Sequence, residues 1–313
     1  MKKTNISALL LAALLLMQLL CAPVSAVTAE PAADAQTDAQ TASDNSAGDA
    51  AAEADSVPED QLLSSREQFS VAAKAALLID LNTNRVVYEQ DADERVYPAS
   101  LTKIMTCLIA LENGNLSDVV TVSESALADL DEDSSVAGLV VGEQMTLENL
   151  LYCMMVVSGN DACNVIAEHV AGSVTDFVRM MNQRAYELGC TNTHFVNPSG
   201  LPNEEHYTSA HDMALITRAA VSHEEFRKIS GTSRYVLRAT NKKSEELLMN
   251  NHHYMISGYK TSKYLDDTVF AGKTGYTEAA LNTLVTCATR NGMDLIVVTM
   301  KSQGTGEKGV PIY

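Results

Sequence analysis

Leu281-Asn-Thr-Leu-Val-Thr-Cys-Ala-Thr-Arg290-Asn291-Gly292-Met293-Asp-Leu-Ile-Val-Val-Thr-Met300 contains two β-rich runs separated by two residues. Asn-Gly between such runs is a strong hairpin signal, because a type I′ turn needs positive φ at both central positions. Just upstream, Val269–Tyr276 also reads as a strand. Near the other end, Ala75-Ala-Leu-Leu-Ile-Asp80 runs through the turn Asn82-Thr-Asn84 into Arg85-Val-Val-Tyr88, a second hairpin. Strands at both ends with helical patterns between them predict an α+β fold. It is an antiparallel sheet built from both chain ends, with a helical subdomain inserted.

The middle of the chain supplies the helices. Apolar residues at 101, 104, 105, 108 and 111 form one helical face, with Pro98 and Ser100 where a helix start is expected. A turn at Glu112-Asn-Gly114 and a helix near Ser123–Leu130 follow, and acidic Asp129 to Ser135 reads as loop. Thr146 caps a helix over Leu147–Val157 that is apolar on nearly every side and is therefore expected to be buried. Ser158-Gly-Asn160 ends it, and Asp161 starts another helix through Val170. Ser173-Val-Thr-Asp176 resembles a capping box for a helix to Leu188, closed by Gly189. Asn197-Pro-Ser-Gly200 is a turn, and Thr208 to Ala220 is a further helix.

The 313 residues carry a formal charge of −18, unevenly distributed. Residues 27–60 hold nine acids and no Lys or Arg, half of the net charge. Their Ala, Asp, Thr, Ser and Glu offer too little apolar burial to offset the entropy of ordering, so they read as a disordered acidic linker. The folded domain is expected over 61–313. With no basic block anywhere, nucleic acid is excluded as a partner. Met1-Lys-Lys, the apolar run Leu9 to Leu20 and Val24-Ser-Ala26 make residues 1–26 a secretory signal. Leu20 is too large to precede a lipidated Cys21, so cleavage is expected after Ala26 and the protein is read as exported. Of the six cysteines, Cys107 and Cys153 lie in apolar helical patterns that favour buried thiols. A Cys153–Cys163 disulfide stays open at this level. No cysteine pair or histidine grouping has metal-ligand spacing, so neither a metal nor another cofactor is expected.

Three short clusters remain in order: Ser100-x-x-Lys103, Ser158-Gly-Asn160 and Lys273-Thr-Gly275. Each has a sensible context, respectively a helix start, an interhelical turn and a strand. Decoys lack that context: Ser43-Asp-Asn45 lies in the acidic linker, Ser257-Gly-Tyr-Lys260 precedes no apolar helix, and Lys260-Thr-Ser262 lacks the glycine. A serine hydroxyl needs a base to become a nucleophile, and an amine three residues along a helix lies on the same side. Lys103 serves only when neutral, a state favoured by burial and by a nearby cation, for which Lys273 is the candidate. Lys273 and Thr274 can then hold a terminal carboxylate, and Gly275 lets a substrate backbone lie close to the strand edge. Ser158 can relay the proton to a departing amine, while Asn160 binds the amide of the acyl part.

With Tyr97-Pro-Ala-Ser-Leu-Thr-Lys-Ile-Met-Thr106, Ser158-Gly-Asn-Asp-Ala162, Phe195-Val-Asn-Pro-Ser-Gly-Leu201 and Gly272-Lys-Thr-Gly-Tyr-Thr277, the chain resembles the penicillin-binding, active-site serine peptidases. It is most similar to their low-molecular-mass D-alanyl-D-alanine carboxypeptidases, from about Ala75 to Ser302. Ala280 departs from that pattern, standing where the family commonly has glycine. The resemblance implies a β-lactamase/transpeptidase-like fold and an oxyanion hole from the backbone N–H groups of Ser100 and Tyr276. It also implies peptidoglycan stem peptides ending in D-Ala-D-Ala as substrate, β-lactams as covalent inhibitors, and a place in the cell wall or periplasm. Relatives usually continue past the third C-terminal strand, so the chain is expected to be a fragment or to cover its sheet differently. Membrane association stays open on the same ground. A β-lactamase on this scaffold and an inactive wall-binding homologue are the alternatives. Class A β-lactamases use a glutamate beyond the second cluster, and Cys190–Pro202 contains no acid.

Overall fold

The computed structural model describes residues 70–128, 130 and 134–303. The expected signal segment, the acidic linker, most of the Asp129–Ser135 loop and the C-terminal residues 304–313 lie outside the described residues.

One five-stranded antiparallel sheet forms the frame, in the order β2-β1-β9-β8-β7. Its strands are β1 (Ala75–Asp80), β2 (Arg85–Gln90), β7 (Val269–Thr277), β8 (Leu281–Arg290) and β9 (Met293–Ser302). Both chain ends build it, as expected: Ala75 of β1 pairs with Met300 of β9, and Leu77 with Val298. The β8–β9 connection is the expected two-residue turn, with Arg290 opposite Met293 and positive φ at Asn291 (50°) and Gly292 (75°).

Between β2 and β7 lie seven α-helices: α1 (Thr102–Asn113), α2 (Glu124–Ala128), α3 (Leu147–Val156), α4 (Asn160–Ala171), α5 (Val174–Glu187), α6 (Ala210–Val221) and α7 (Glu224–Ser230). Helix starts follow the sequence signals. Thr146 accepts from Asn149 N at 3.2 Å, Ser173 from Asp176 N at 3.0 Å and Ser209 from Asp212 N at 3.1 Å. Ser173 Oγ also donates to Asp176 Oδ2 at 2.6 Å, so the two residues of the expected capping box are joined through their side chains.

Three expectations are corrected. The helix after Ser100 buries more than the one apolar face read from its sequence: α1 is buried continuously from Thr102 to Ala110, because it runs between the sheet-facing helices and the α3–α5 group. It begins with a 3₁₀ turn over Ala99–Leu101, in which Ala99 has φ 49°. The helix near Ser123 is one short turn, α2. Four strands escaped notice: the pairs β3 (Val119–Thr121) with β4 (Gln144–Thr146), and β5 (Arg234–Leu237) with β6 (Leu247–Asn250). So did α7, whose two buried anchors, Phe226 and Ile229, are too few to show periodicity. All five described cysteines are free thiols, which settles the open pairing of Cys153 and Cys163.

The main core gathers around α1, with Ile104, Met105 and Leu108 fully buried among α3, α4, α6 and the inner face of the sheet. Closely packed interiors collapse only partly around a deleted side chain. Ile104→Ala is therefore expected to lower unfolding stability by about 2–5 kcal/mol, measured by urea denaturation.

Candidate active site

Four elements converge at the start of α1: the 3₁₀ turn carrying Ser100, the first turn of α1 with Lys103, the α3–α4 junction with Ser158 and Asn160, and strand β7 with Lys273. Lys103 is fully buried. Its Nζ lies 2.9 Å from Ser100 Oγ, 2.7 Å from Asn160 Oδ1 and 2.7 Å from the Ser199 carbonyl. Ser158 Oγ is 3.0 Å from Ser100 Oγ on its other side and accepts from Lys273 Nζ at 3.1 Å. Lys273 also donates to the Thr274 carbonyl at 2.8 Å. A hydrogen-bonded chain thus runs Lys103–Ser100–Ser158–Lys273. Ser158 holds φ 62°, a rare conformation for a non-glycine residue and one that aims its hydroxyl at Ser100.

Both lysines are pushed below the ordinary amine range, and burial is the main cause. For Lys103, Cys163 and Asp161 act in the opposite direction. Lys273 is pushed down further, first by burial and then by Lys103. The sequence reading named burial and the charge on Lys273 together as the influences on Lys103. In the structure, loss of hydration is the larger influence on both.

The remaining expected residues also gather here. Thr274 is buried, and Tyr276 stands about half exposed at the mouth. Gly275 has a reason the sequence did not show. A β-carbon there would come within 2.4 Å of Thr283 Oγ1 and 2.9 Å of Ser100 N. The missing side chain therefore lets β7 seat against the Ser100 turn, in addition to any role toward substrate. Thr283 fastens the same contact by donating to the Pro98 carbonyl at 3.1 Å.

Sequence reasoning missed the support supplied by the Phe195–Leu201 block. Asn197 Oδ1 accepts from Ser199 N at 3.2 Å and from Gly200 N at 2.7 Å, which turns the Ser199 carbonyl toward Lys103. Thr106 on α1 donates to the Pro198 carbonyl at 2.6 Å. Gly200, at φ 91°, lies so close that a β-carbon would overlap the Ala99 carbonyl at 1.8 Å. His206 accepts from Val196 N through Nδ1 at 3.2 Å, which leaves Nε2–H to donate to Thr102 at 2.9 Å. Burial lowers its pKa to about 3. This histidine is structural, in keeping with the sequence reading. The Asn-Pro-Ser-Gly turn was the only local signal available.

A buried Ser–Lys pair at a helix start is thus faced by a second serine and by a lysine on an edge strand, on an α+β frame. A sequence profile described as D-alanyl-D-alanine carboxypeptidase matches residues 62–304, and the chain belongs to that family. It is 37% identical over 245 residues to the D-alanyl-D-alanine carboxypeptidase DacF of Bacillus subtilis (strain 168), covering 77% of this chain and 60% of that protein. Among solved structures, the Streptomyces K15 DD-transpeptidase superposes with a TM-score of 0.68 at 30% identity, covering 75% of this chain and 92% of that one. The D-alanyl-D-alanine carboxypeptidase of Mycobacterium tuberculosis H37Rv gives 0.66 at 30% identity, covering 76% and 84%. The chain spans about three-fifths of the length of the Bacillus protein.

The tight seating of β7 gives a direct test. Gly275→Ala must shift either β7 or the Ser100 turn, and displacements of about 1 Å can cost on the order of 100-fold in rate. Labelling of Ser100 by a fluorescent penicillin is expected to slow by that order while cooperative unfolding is retained.

Proposed function

We propose that this chain is a serine-type D-Ala-D-Ala carboxypeptidase that removes the terminal D-alanine from peptidoglycan stem peptides through an acyl-enzyme on Ser100. The observation that carries the reading is the fully buried Lys103 amine 2.9 Å from Ser100 Oγ. A neutral amine there has one lone pair and two N–H donors. The donors match Asn160 Oδ1 and the Ser199 carbonyl, which leaves the lone pair facing the serine hydroxyl.

In this reading Ser100 Oγ attacks the carbonyl carbon of the penultimate D-alanine and its proton passes to Lys103. The backbone N–H groups of Ser100 and Tyr276 receive the developing oxyanion. The substrate carboxylate lies beside Lys273 and Thr274 and favours the ammonium form of Lys273. That cation in turn favours neutral Lys103. As the C–N bond breaks, Ser158 hands its proton to the leaving D-alanine amine and regains the one that Lys103 took from Ser100, whose Oγ, now the ester oxygen, carries no proton. Asn160 holds the amide of the retained acyl part. Water then cleaves the Ser100 ester, releasing the shortened peptide. The group facing Lys103 from the Phe195–Leu201 block is a backbone carbonyl, not the carboxylate a class A β-lactamase would place there.

Such a substrate puts the site of action outside the cytoplasm, in keeping with the export signal read in residues 1–26. β-Lactams, whose strained amide presents an electrophilic carbonyl and a carboxylate, are the expected covalent inhibitors. Among the described residues, no helix is long and apolar enough to cross a membrane.

A fluorescent penicillin is expected to label the wild type and not Ser100→Ala, and the wild type is expected to release free D-alanine from a pentapeptide ending in D-Ala-D-Ala. Equal labelling of the two proteins, or a dimeric transfer product with no free shortened tetrapeptide, would overturn the reading. Lys103→Arg places a permanently protonated group beside Ser100. Acylation by penicillin is expected to be abolished, and retained acylation removes Lys103 from the role of base.

A further inference from the structure

Asp161 directly follows Ser158-Gly159-Asn160 and has no part in the chemistry above. By sequence it is an ordinary first-turn acid of α4. In the structure it is 1% exposed, and only one of its contacts belongs to its own helix. Oδ1 accepts from Ala162 N and from Ala137 N, both at 2.9 Å, and Oδ2 accepts from Leu139 N at 2.9 Å. Three backbone donors on two oxygens match an ionised carboxylate, which only accepts.

The segment it grips lies along the site. Asn160 N donates to the Ser135 carbonyl at 2.8 Å, and Ser135 Oγ to the Val157 carbonyl at 2.8 Å. At its far end Glu143, with a fully buried side chain, accepts from Val140 N at 3.1 Å and from Thr240 Oγ1 at 2.9 Å and pairs with Lys243 at 3.0 Å. Two buried carboxylates thus clamp this wall, and Asp161 is the one at the active-site end.

Its charge reaches the reacting groups. Asp161 acts on Lys103 of α1, Cys153 of α3 and Cys163 of α4, and Lys103 acts on Lys273 of β7. Glu143 and Lys243 act on Cys153 from beyond the wall, with opposite signs. Burial raises Cys153 to about 12 and Cys163 to about 11, so neither thiol supplies negative charge near neutral pH. Asp161 is therefore the anion set against the buried Lys103 amine.

We propose that Asp161 is a positioning residue for acylation: it fixes the Ser135–Leu139 segment as the wall beside Ser158 and Asn160, and sets a buried negative charge close to Lys103. The proposal rests on Ser100 being the acylated nucleophile. An anion near an amine favours the protonated form, so neutralising Asp161 lets Lys103 shed its proton at lower pH.

The test is the pH dependence of acylation by a fluorescent penicillin. Asp161→Asn is expected to slow acylation and move the ascending limb about one pH unit toward acid. Asp161→Ser, smaller and neutral, leaves room for water on the freed N–H groups and is expected to move the limb likewise if the Asn variant does not fold. Asp161→Glu keeps the charge but disturbs the wall, so it is expected to slow acylation with the limb in place. Neutral variants whose limb stays where the wild type has it overturn the proposal, as does a Glu variant whose limb moves with theirs. Wild type that is unlabelled at every pH instead refutes Ser100 as the nucleophile, a separate failure.

Discussion

The hydrogen bonding of one buried amine constrains everything around it. Lys103 lies at the centre of the molecule, out of water, and every N–H it carries must find an acceptor or cost the protein stability. Its hydrogen-bond partners come from three separate parts of the chain: the Ser100 turn, the start of α4 and the Ser199 carbonyl. Meeting that demand sets the mutual position of α1, α4 and the Phe195–Leu201 block to within hydrogen-bond tolerance. β7 is then placed from two sides, by the Lys273–Ser158 contact and by the missing side chain of Gly275 against Ser100. The same burial that makes the amine demanding also lowers its basicity, so one physical circumstance serves both architecture and chemistry.

Much of the frame could be read from residues alone, where the signal is local and strong. Asn291-Gly292 announces a hairpin because few other residues tolerate its backbone angles, and Thr146, Ser173 and Ser209 start helices through side chains only three residues from their partners. What stayed hidden is held by distant contacts. The β5–β6 hairpin exposes Val236, Leu247 and Leu248 and is fastened at its tip by Thr240 to Glu143 and by Asn241 to Gln144 N. Neither attachment leaves a periodic trace.

The site divides along the same line. Ser100, Lys103, Ser158, Asn160 and Lys273 were legible because side-chain chemistry demands those residue types. The Ser199 carbonyl was not, since a backbone acceptor can come from almost any residue. Asp161 was seen but misjudged: a first-turn acid looks the same whether it caps only its own helix or also reaches Ala137 and Leu139. The balance between the two lysines was equally out of view, because sequence shows that two amines are present and not how dry their surroundings are.

The sheet's assembly from both chain ends also sets an order of events. Ser100, Lys103, Ser158 and Asn160 all precede residue 161, yet Lys273 and the strand that abuts Ser100 come near the end, and β1 has no inner neighbour until β9 pairs with it. Pairings so remote in sequence form late and slowly, because a long loop must close before any contact rewards it. In a chain emerging N-terminus first, Ser100 therefore stays in an incomplete setting until β7, β8 and β9 have all been made. Assembly carries a built-in delay, and the cluster around Ser100 is complete only when the β8–β9 hairpin docks.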